Sequence, residues 1–374
     1  MRKPPVVVLS GVRWDFLWQR HQALATLFDR AGYPTAFVET TGLANPGPSA
    51  SRKVAARLRR TGRKDPGGGP FVYPPLVLPP TYRAFRVANR KLFLPRVARD
   101  LRGFLGERPI VVAYPPTRTT LDLIPHLDPR LVLYDLADDY ERFPGAPKDI
   151  ASTERELLVL ADLVSCTSEP LLRKARRVRP DAFPSGPAVD YERFAALREH
   201  PPALPARTVC FFGHLGRERL DFEVLRAIAR AGFRVRLLGN AERAEKGFLG
   251  EPNVEYRGEV PHHLLPAALA GVDAFILPYR MGDLTHAISP AKTYECLATG
   301  RPVVASPLPA LESLSKHVYL ADGPEGFVEA LGNLEGTETG ERVRARNRLA
   351  RENSWEARFR ELEDVISRSL RDRP

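Results

Sequence analysis

The chain has few of the residues that staple small folds together. It has three cysteines in 374 residues, Cys166, Cys210 and Cys296, far apart and odd in number. They offer no disulfide framework and no zinc spacing, and the apolar neighbours of Cys210 and Cys296 imply buried thiols. His214, His262 and His263 have no Cys/Asp cluster beside them in the sequence, so no metal site is expected. No Asp-x-Asp element stands at a strand end. Neither a G-x-x-x-x-G-K-[ST] phosphate loop nor a full G-x-G-x-x-G fingerprint occurs. A run of about 18 apolar residues is absent, so no transmembrane helix is expected. The opening "MRKPPVVVLSG" has too short an apolar run for a signal peptide and reads as a first strand. A cytoplasmic protein is the expectation.

What the chain does have is positive charge and size. Its net charge is +11. Such an excess asks for an acidic partner, whether nucleic acid, an anionic membrane or a phosphorylated small molecule; an Arg-rich source composition is the plainer reading. No RNA-binding motif is present, so nucleic acid is not expected. The length exceeds one comfortable core, so two domains are expected.

The pattern along the chain is strand, helix, strand, repeated. "PVVVL" (5–9) reads as a buried strand, 17–31 as a helix stopped by Gly32, and "PTAFVETTG" as the next strand. Residues 44–70 break the rhythm around "SRKVAARLRRTGRK", which has seven basic residues in fourteen and no acid. Residues 81–108 read as a basic helix interleaved with Tyr82, Phe85, Leu92 and Phe93. Strands follow at 109–114, 130–136 and 162–168, with a helix over 149–161. "LREHPPALPA" (197–206) reads as a linker, after which the rhythm restarts with "RTVCFFG" and continues to "RPVVAS" and "YLAD". A charged stretch and a last helix end the chain. The expectation is an α/β protein of two doubly wound Rossmann-like domains facing across a cleft, at 1–196 and 205–353, with helix 354–374 packing back on the first.

In "HAISPAKTYECLATGRPVVAS" (286–306), Ser289 is a good N-cap and Pro290 a favoured first helical residue. A helix start there, with Lys292 beside it, suits a diphosphate, and Glu295 one turn further suits ribose hydroxyls. An ordinary capped helix with surface charges is the alternative. Gly213 and Gly216 in "CFFGHLGRE" follow a strand, where backbone can approach a phosphate and Arg217 can pair with it; a plain tight turn is the alternative.

The run "FFGHLG…LLGN…NVEYRGEVPHHLLPAALAGVDAFILPY…SPAKTYECLATGRPVVAS" resembles the C-terminal half of GT-B glycosyltransferases of the large retaining family four group. "ERELLVLADLVSCTSEPLL" and "PSGPAVDYERF" are similar to its N-terminal half, and "VRWDFLWQRHQALATLF" resembles the opening of a polysaccharide-synthesis subgroup of the teichuronic-acid type. The resemblance implies a nucleotide-sugar donor, UDP or GDP above others, used as co-substrate with no further cofactor. It implies Glu295 on the ribose, residues Ile288, Ser289, Pro290, Ala291 and Lys292 at the diphosphate, and Gly213, His214, Arg217, Asn240, Arg257 and Gly258 around diphosphate and base. Two positions depart from the family: Ala287 replaces a Glu, and Arg217 and Arg219 stand without the usual Lys.

In the first domain, "YDLADDYERF" places Asp135 and Asp138 as catalytic candidates, with Asp139 as an alternative, able to orient an acceptor hydroxyl or take its proton. Gly11, Trp14 and Arg20 are the acceptor-side candidates. The expected reaction is metal-independent transfer of a hexose to a hydroxyl, with retention as in the family, on a growing surface glycan or its lipid carrier. The basic runs 52–64 and 83–102 suit an anionic bilayer and hence a peripheral place on the inner face of the membrane. Two rivals are carried: a transferase making a small soluble glycoside, and a non-catalytic nucleotide-sugar-binding or scaffold subunit.

Overall fold

The structure is a computed structural model that describes residues 3–15, 18–39, 62–64, 68–78, 80, 82–143, 145–245, 247–282 and 292–372. The chain forms two compact units, Met1–Gly186 with Arg358–Pro374, and Pro187–Ala357. Each is a parallel sheet with helical crossovers, the arrangement that the alternation of apolar runs and amphipathic segments dictates.

The first sheet has eight strands: β1 (Val6–Leu9), β2 (Thr35–Val38), β3 (Arg63–Lys64), β4 (Phe71–Tyr73), β5 (Ile110–Ala113), β6 (Leu131–Leu136), β7 (Leu163–Cys166) and β8 (Phe183–Pro184). Their order is β3-β4-β2-β1-β5-β6-β7-β8, parallel throughout except for the antiparallel pair β3–β4. The strands β1, β2, β5 and β6 are buried along their whole length, as β-branched strands covered on both faces must be. The chain first builds outward from β1 through β2, then returns to its other side at β5, so the order reverses between β1 and β5. Ligands in such sheets bind beyond the carboxyl ends of the strands at that reversal.

The stretch read as a break in the pattern contains β3, which pairs with β4 just after it; Phe71 of β4 stacks on Phe104 at 3.9 Å. Strands of two and three residues after a Pro/Gly run carry too little periodicity to be read. The single basic helix expected over 81–108 is three pieces: Arg83–Ala88, a π-helical turn Asn89–Phe93, and Leu94–Leu105. The Asn89 amide donates to the Leu78 carbonyl at 2.7 Å and accepts from the Leu78 N–H at 2.8 Å, which pins the turn. In the helix Trp355–Arg371, Phe359 meets Phe28 edge-on at 5.0 Å, and Glu363 accepts hydrogen bonds from Lys3 and Tyr33.

The second sheet has six parallel strands: β9 (Thr208–Phe212), β10 (Arg234–Leu238), β11 (Val254–Tyr256), β12 (Ala274–Leu277), β13 (Val303–Ala305) and β14 (Tyr319–Leu320). Their order is β11-β10-β9-β12-β13-β14, with the reversal at β9. The division from the first unit falls at Gly186–Pro187, ahead of the Pro-rich stretch read as a linker. The reason lies in packing and polar anchoring. Phe194 and Leu197 enter the second core, and Val189 bridges to Ser354. Arg301, 1% exposed, donates to the carbonyls of Val272 (2.6 Å), Leu197 (3.1 Å) and His200 (2.7 Å). The buried Asp273 carboxylate accepts from the backbone N–H groups of Ala203, Arg207 and Thr208. The charged stretch before the last helix is itself a helix, Gly340–Glu352, turned inward by the buried Arg346, which binds Glu338 and the Gly300 carbonyl.

Replacing Arg301 by Met leaves three inward carbonyls without a donor. The expected cost is about 3 kcal/mol of stability, read from urea unfolding; a loss under about 1 kcal/mol would show that the segment 197–200 is held by packing alone.

Candidate functional site

The second unit brings its predicted residues together at the sheet reversal. β9 runs into Gly213 (φ +131°) and β10 into Gly239 (φ +129°), a backbone region that glycine enters readily. A Cβ on Gly239 would overlap the Gly213 carbonyl, so the two strand-end loops lie backbone against backbone. Gly239 N–H donates to the Gly258 carbonyl at 2.7 Å, and Leu215 N–H donates to the Asn240 carbonyl at 2.8 Å. Four of the predicted positions, Gly213, Asn240, Arg257 and Gly258, thus belong to one bonded set of loops.

Lys292 opens the helix Lys292–Ala298 and reaches across to the end of β9. Its Nζ donates to the Phe212 carbonyl at 2.7 Å and stands 4.2 Å from the centre of the Phe211 ring. A Cβ on Gly213 would occupy the place of that Nζ. Burial lowers the Lys292 pKa to about 8, and the nearby Arg219 charge pushes the same way. The folded-state pKa lies below the ordinary 10.5, so the buried charge costs stability below pH 8, and this cost fades as pH rises from 8 toward 10.5. An anion placed at the strand ends would offset it. Arg217 and Arg219 are exposed and form no ion pair among the described residues. One turn beyond Lys292, the Glu295 Oε1 pairs with His262 Nε2 at 2.9 Å.

The other predicted donor residues have local duties. His214 Nε2 bonds Glu218 at 3.1 Å. The Asn240 amide donates to Glu259 and accepts from the Glu242 N–H. Arg257 pairs with Glu255, which also takes Arg236. Ile288, Ser289, Pro290 and Ala291 lie outside the described residues, as does Ala287.

In the first unit the structure joins two candidates that the sequence kept apart. Arg20 Nε and Nη2 hold the two Asp135 oxygens at 2.6 and 3.2 Å, and Arg20 also donates to Ser185 and to the Gly186 carbonyl. Ser165 donates to Asp135 at 2.7 Å. The Asp135 side chain has no exposed area, so it is the counter-ion of Arg20 and not a carboxylate presented to an acceptor. Beside this pair, His21 Nδ1 bonds Ser10 at 2.8 Å and its ring stacks on Tyr114 at 3.6 Å. Burial lowers the His21 pKa to about 3, so the imidazole stays neutral. This cluster sits at the ends of β1, β5, β6 and β7, where the first sheet reverses.

Asp138 is exposed in the turn after β6, while crowding by its neighbours desolvates the carboxyl and raises its pKa. Asp139 is taken up by Lys174 and Arg142. Trp14 packs edge-on against Phe37 and Trp18, and its backbone N–H donates to Glu39. Gly11 is half-buried in the turn after β1. His21 and His262 were missed as site residues: each acts through a partner far along the chain, and no local spacing signals that. Cys166, Cys210 and Cys296 are buried free thiols. Among the described residues, no group of three or more His, Cys, Asp or Glu could hold a metal ion.

Residues 217–364 match a family model described as glycosyl transferase-like. TuaH of Bacillus subtilis (strain 168), assigned to teichuronic acid biosynthesis as a glycosyltransferase, is 28% identical over 236 residues, 58% of this chain. The match spans 59% of that relative's own length. Sucrose-phosphate synthase from Thermosynechococcus elongatus superposes with a TM-score of 0.63 at 15% identity, covering 98% of this chain and 99% of that one. TarM superposes at 0.59 and 10% identity over 97% and 98% of the two chains. Anabaena HepE, solved with UDP-glucose, superposes at 0.59 and 13% identity over 97% and 99%. The chain has the GT-B fold of these structures, and its residues 217–364 match the glycosyl transferase-like family model.

Proposed function

We propose that this chain is a glycosyltransferase of cell-surface polysaccharide synthesis. It moves a hexose from a nucleoside-diphosphate sugar to a hydroxyl, with the donor held on the second unit and the acceptor on the first. The observation that carries the reading is Lys292: a desolvated ammonium set on the last carbonyl of β9, at the sheet reversal, one turn from a carboxylate. Phosphate oxygens match the ammonium and ribose hydroxyls match Glu295. The TuaH match and the UDP-glucose bound to HepE support the choice of donor and pathway, UDP ahead of GDP.

In the reaction the acceptor oxygen bonds to the anomeric carbon as the bond from that carbon to the diphosphate oxygen breaks. Lys292, Arg217 and Arg219 receive the negative charge that develops on the leaving diphosphate. The acceptor proton passes to the departing phosphate or to Asp138, whose carboxylate desolvation makes more basic than an ordinary one. Retention follows the family resemblance, and the charge on the leaving group is met by these cations without a metal ion.

The first unit also offers a surface suited to a peripheral site on an anionic membrane, where a lipid-linked acceptor would reside. Tyr82, Phe85, Val87 and Leu92 are exposed large hydrophobics on the helical segment 83–105. Arg83, Lys91, Arg96 and Arg99 stand among them and form no ion pair among the described residues, and Arg90 lies near Asp122. Each such cation contributes about 1 kcal/mol near an anionic leaflet. Of the other basic run, only residues 62–64 are described.

Three measurements test these statements. In a thermal-shift panel of UDP, GDP, ADP, CDP and dTDP, one diphosphate at about 100 times its Kd should stabilise the protein by about 2.7 kcal/mol, and Glu295→Ala should abolish the shift; no shift with any of them would remove the donor reading. Affinity for that diphosphate should fall about 10-fold from pH 7 to pH 9 as the ammonium is lost, and Lys292→Met should flatten the profile. An unchanged wild-type profile would place Lys292 away from the phosphates. In sedimentation with phosphatidylglycerol vesicles, the protein should pellet at low salt, and Lys91→Glu with Arg96→Glu should leave it in the supernatant; equal pelleting of wild type and variant would assign the binding elsewhere.

A further inference from the structure

The residue Glu295 does not stand alone. His262 lies in the turn after Pro261, 33 positions earlier in the chain, and its Nε2 meets Glu295 Oε1 at 2.9 Å. Both side chains are mostly enclosed, 20% and 18% exposed. The His262 ring is set by Phe194, which meets it edge-on at 5.8 Å. The other ring nitrogen, Nδ1, is buried and has no hydrogen-bond partner. That orphan decides the tautomer. An N–H buried without an acceptor costs more than a bare lone pair in the same place, so the proton sits on Nε2 and is donated to Glu295. One Glu295 oxygen is thereby committed, and Oε2 makes no hydrogen bond among the described residues.

We infer that His262 is the positioning residue for the ribose-binding carboxylate: it clamps Oε1 and turns Oε2 toward the ligand, so that selection of a ribose over a deoxyribose nucleotide depends on an imidazole that never touches the sugar. This inference rests on the donor reading of Glu295. A carboxylate on a flexible two-carbon stem loses rotamer freedom when it binds a hydroxyl, and the His262 hydrogen bond removes that freedom beforehand. Among the described residues His262 is the side chain that hydrogen-bonds the Glu295 carboxylate, so the role falls to this histidine.

The test is titration calorimetry of the full chain with UDP, and in parallel GDP, together with their 2′-deoxy and 3′-deoxy forms. His262→Leu keeps an apolar group against Phe194 and removes the donor. It should weaken the ribonucleotide about 5- to 10-fold, leave the deoxy form that lacks the bound hydroxyl almost unchanged, and so erase discrimination. His262→Gln restores an N–H donor and should recover most of the affinity. In the background of Glu295→Ala, His262→Leu should add nothing further. If His262→Leu does not fold, His262→Gln and His262→Asn give the same contrast, because the shorter amide stops short of Glu295. Ribose discrimination unchanged in His262→Leu, or a loss that Gln does not restore, would overturn the inference. Should Glu295→Ala bind like wild type, it is the donor reading itself that fails; should Glu295→Ala weaken binding while the His262 variants do not, only the role of His262 fails.

Discussion

One hydrogen bond organises the working end of the second unit: Lys292 Nζ on the carbonyl of Phe212. A carbonyl at the end of a parallel strand has no partner in the next residue of the sheet, and a helix crossing over that end can supply one. Here the supplier is a charged group over an aromatic ring. For it to fit, residue 213 must lack a side chain, and for residue 213 to lie where it does, residue 239 must lack one too. The two glycines and the lysine answer the same crowding. The protein accepts a depressed amine pKa as the cost of holding a positive charge where an anion can reach it.

The reversal in the first unit is built on a different balance. Its arginine and aspartate satisfy each other, with Ser165, Ser185 and a backbone carbonyl completing the set. The histidine beside them is held neutral, stacked on Tyr114. The second unit keeps an unpaired ammonium at its strand ends, while the first has cancelled its charges and offers dipoles. On the proposed reading, a charged leaving group and a neutral hydroxyl ask for these two environments respectively.

Much of this was legible in the sequence because both sheets are parallel and buried. "VVVL", "IVVA", "TVCFF" and "AFIL" are short apolar runs with no alternation, and the glycines after them mark the strand ends. The grouping of the candidate residues is readable where spacing is local: Lys292 and Glu295 share a helix, and Gly213 follows a strand directly. What could not be read depends on distance in the chain. Asp135 looks like a free carboxylate until Arg20, 115 residues earlier, is found on it. His262 looked like a metal candidate considered and set aside, because its partner is 33 residues on. Arg346 looked like surface charge in a charged stretch, and Glu338 and the Gly300 carbonyl draw it inside. Very short strands such as β3 and β8 are pairings imposed by neighbours, with no pattern of their own.

The helix Trp355–Arg371 begins among the residues of the second unit and ends among those of the first. Phe359 lies against Phe28, and Glu363 holds Lys3 and Tyr33. The first unit is therefore discontinuous in the gene. A shuffling event that exchanged everything after residue 186 would swap the second unit and also replace the piece that closes the core of the unit left behind. The second unit cannot be traded as a simple C-terminal cassette: the incoming segment has to bring its own Phe359 and Glu363, or the recipient's Phe28 is left facing water.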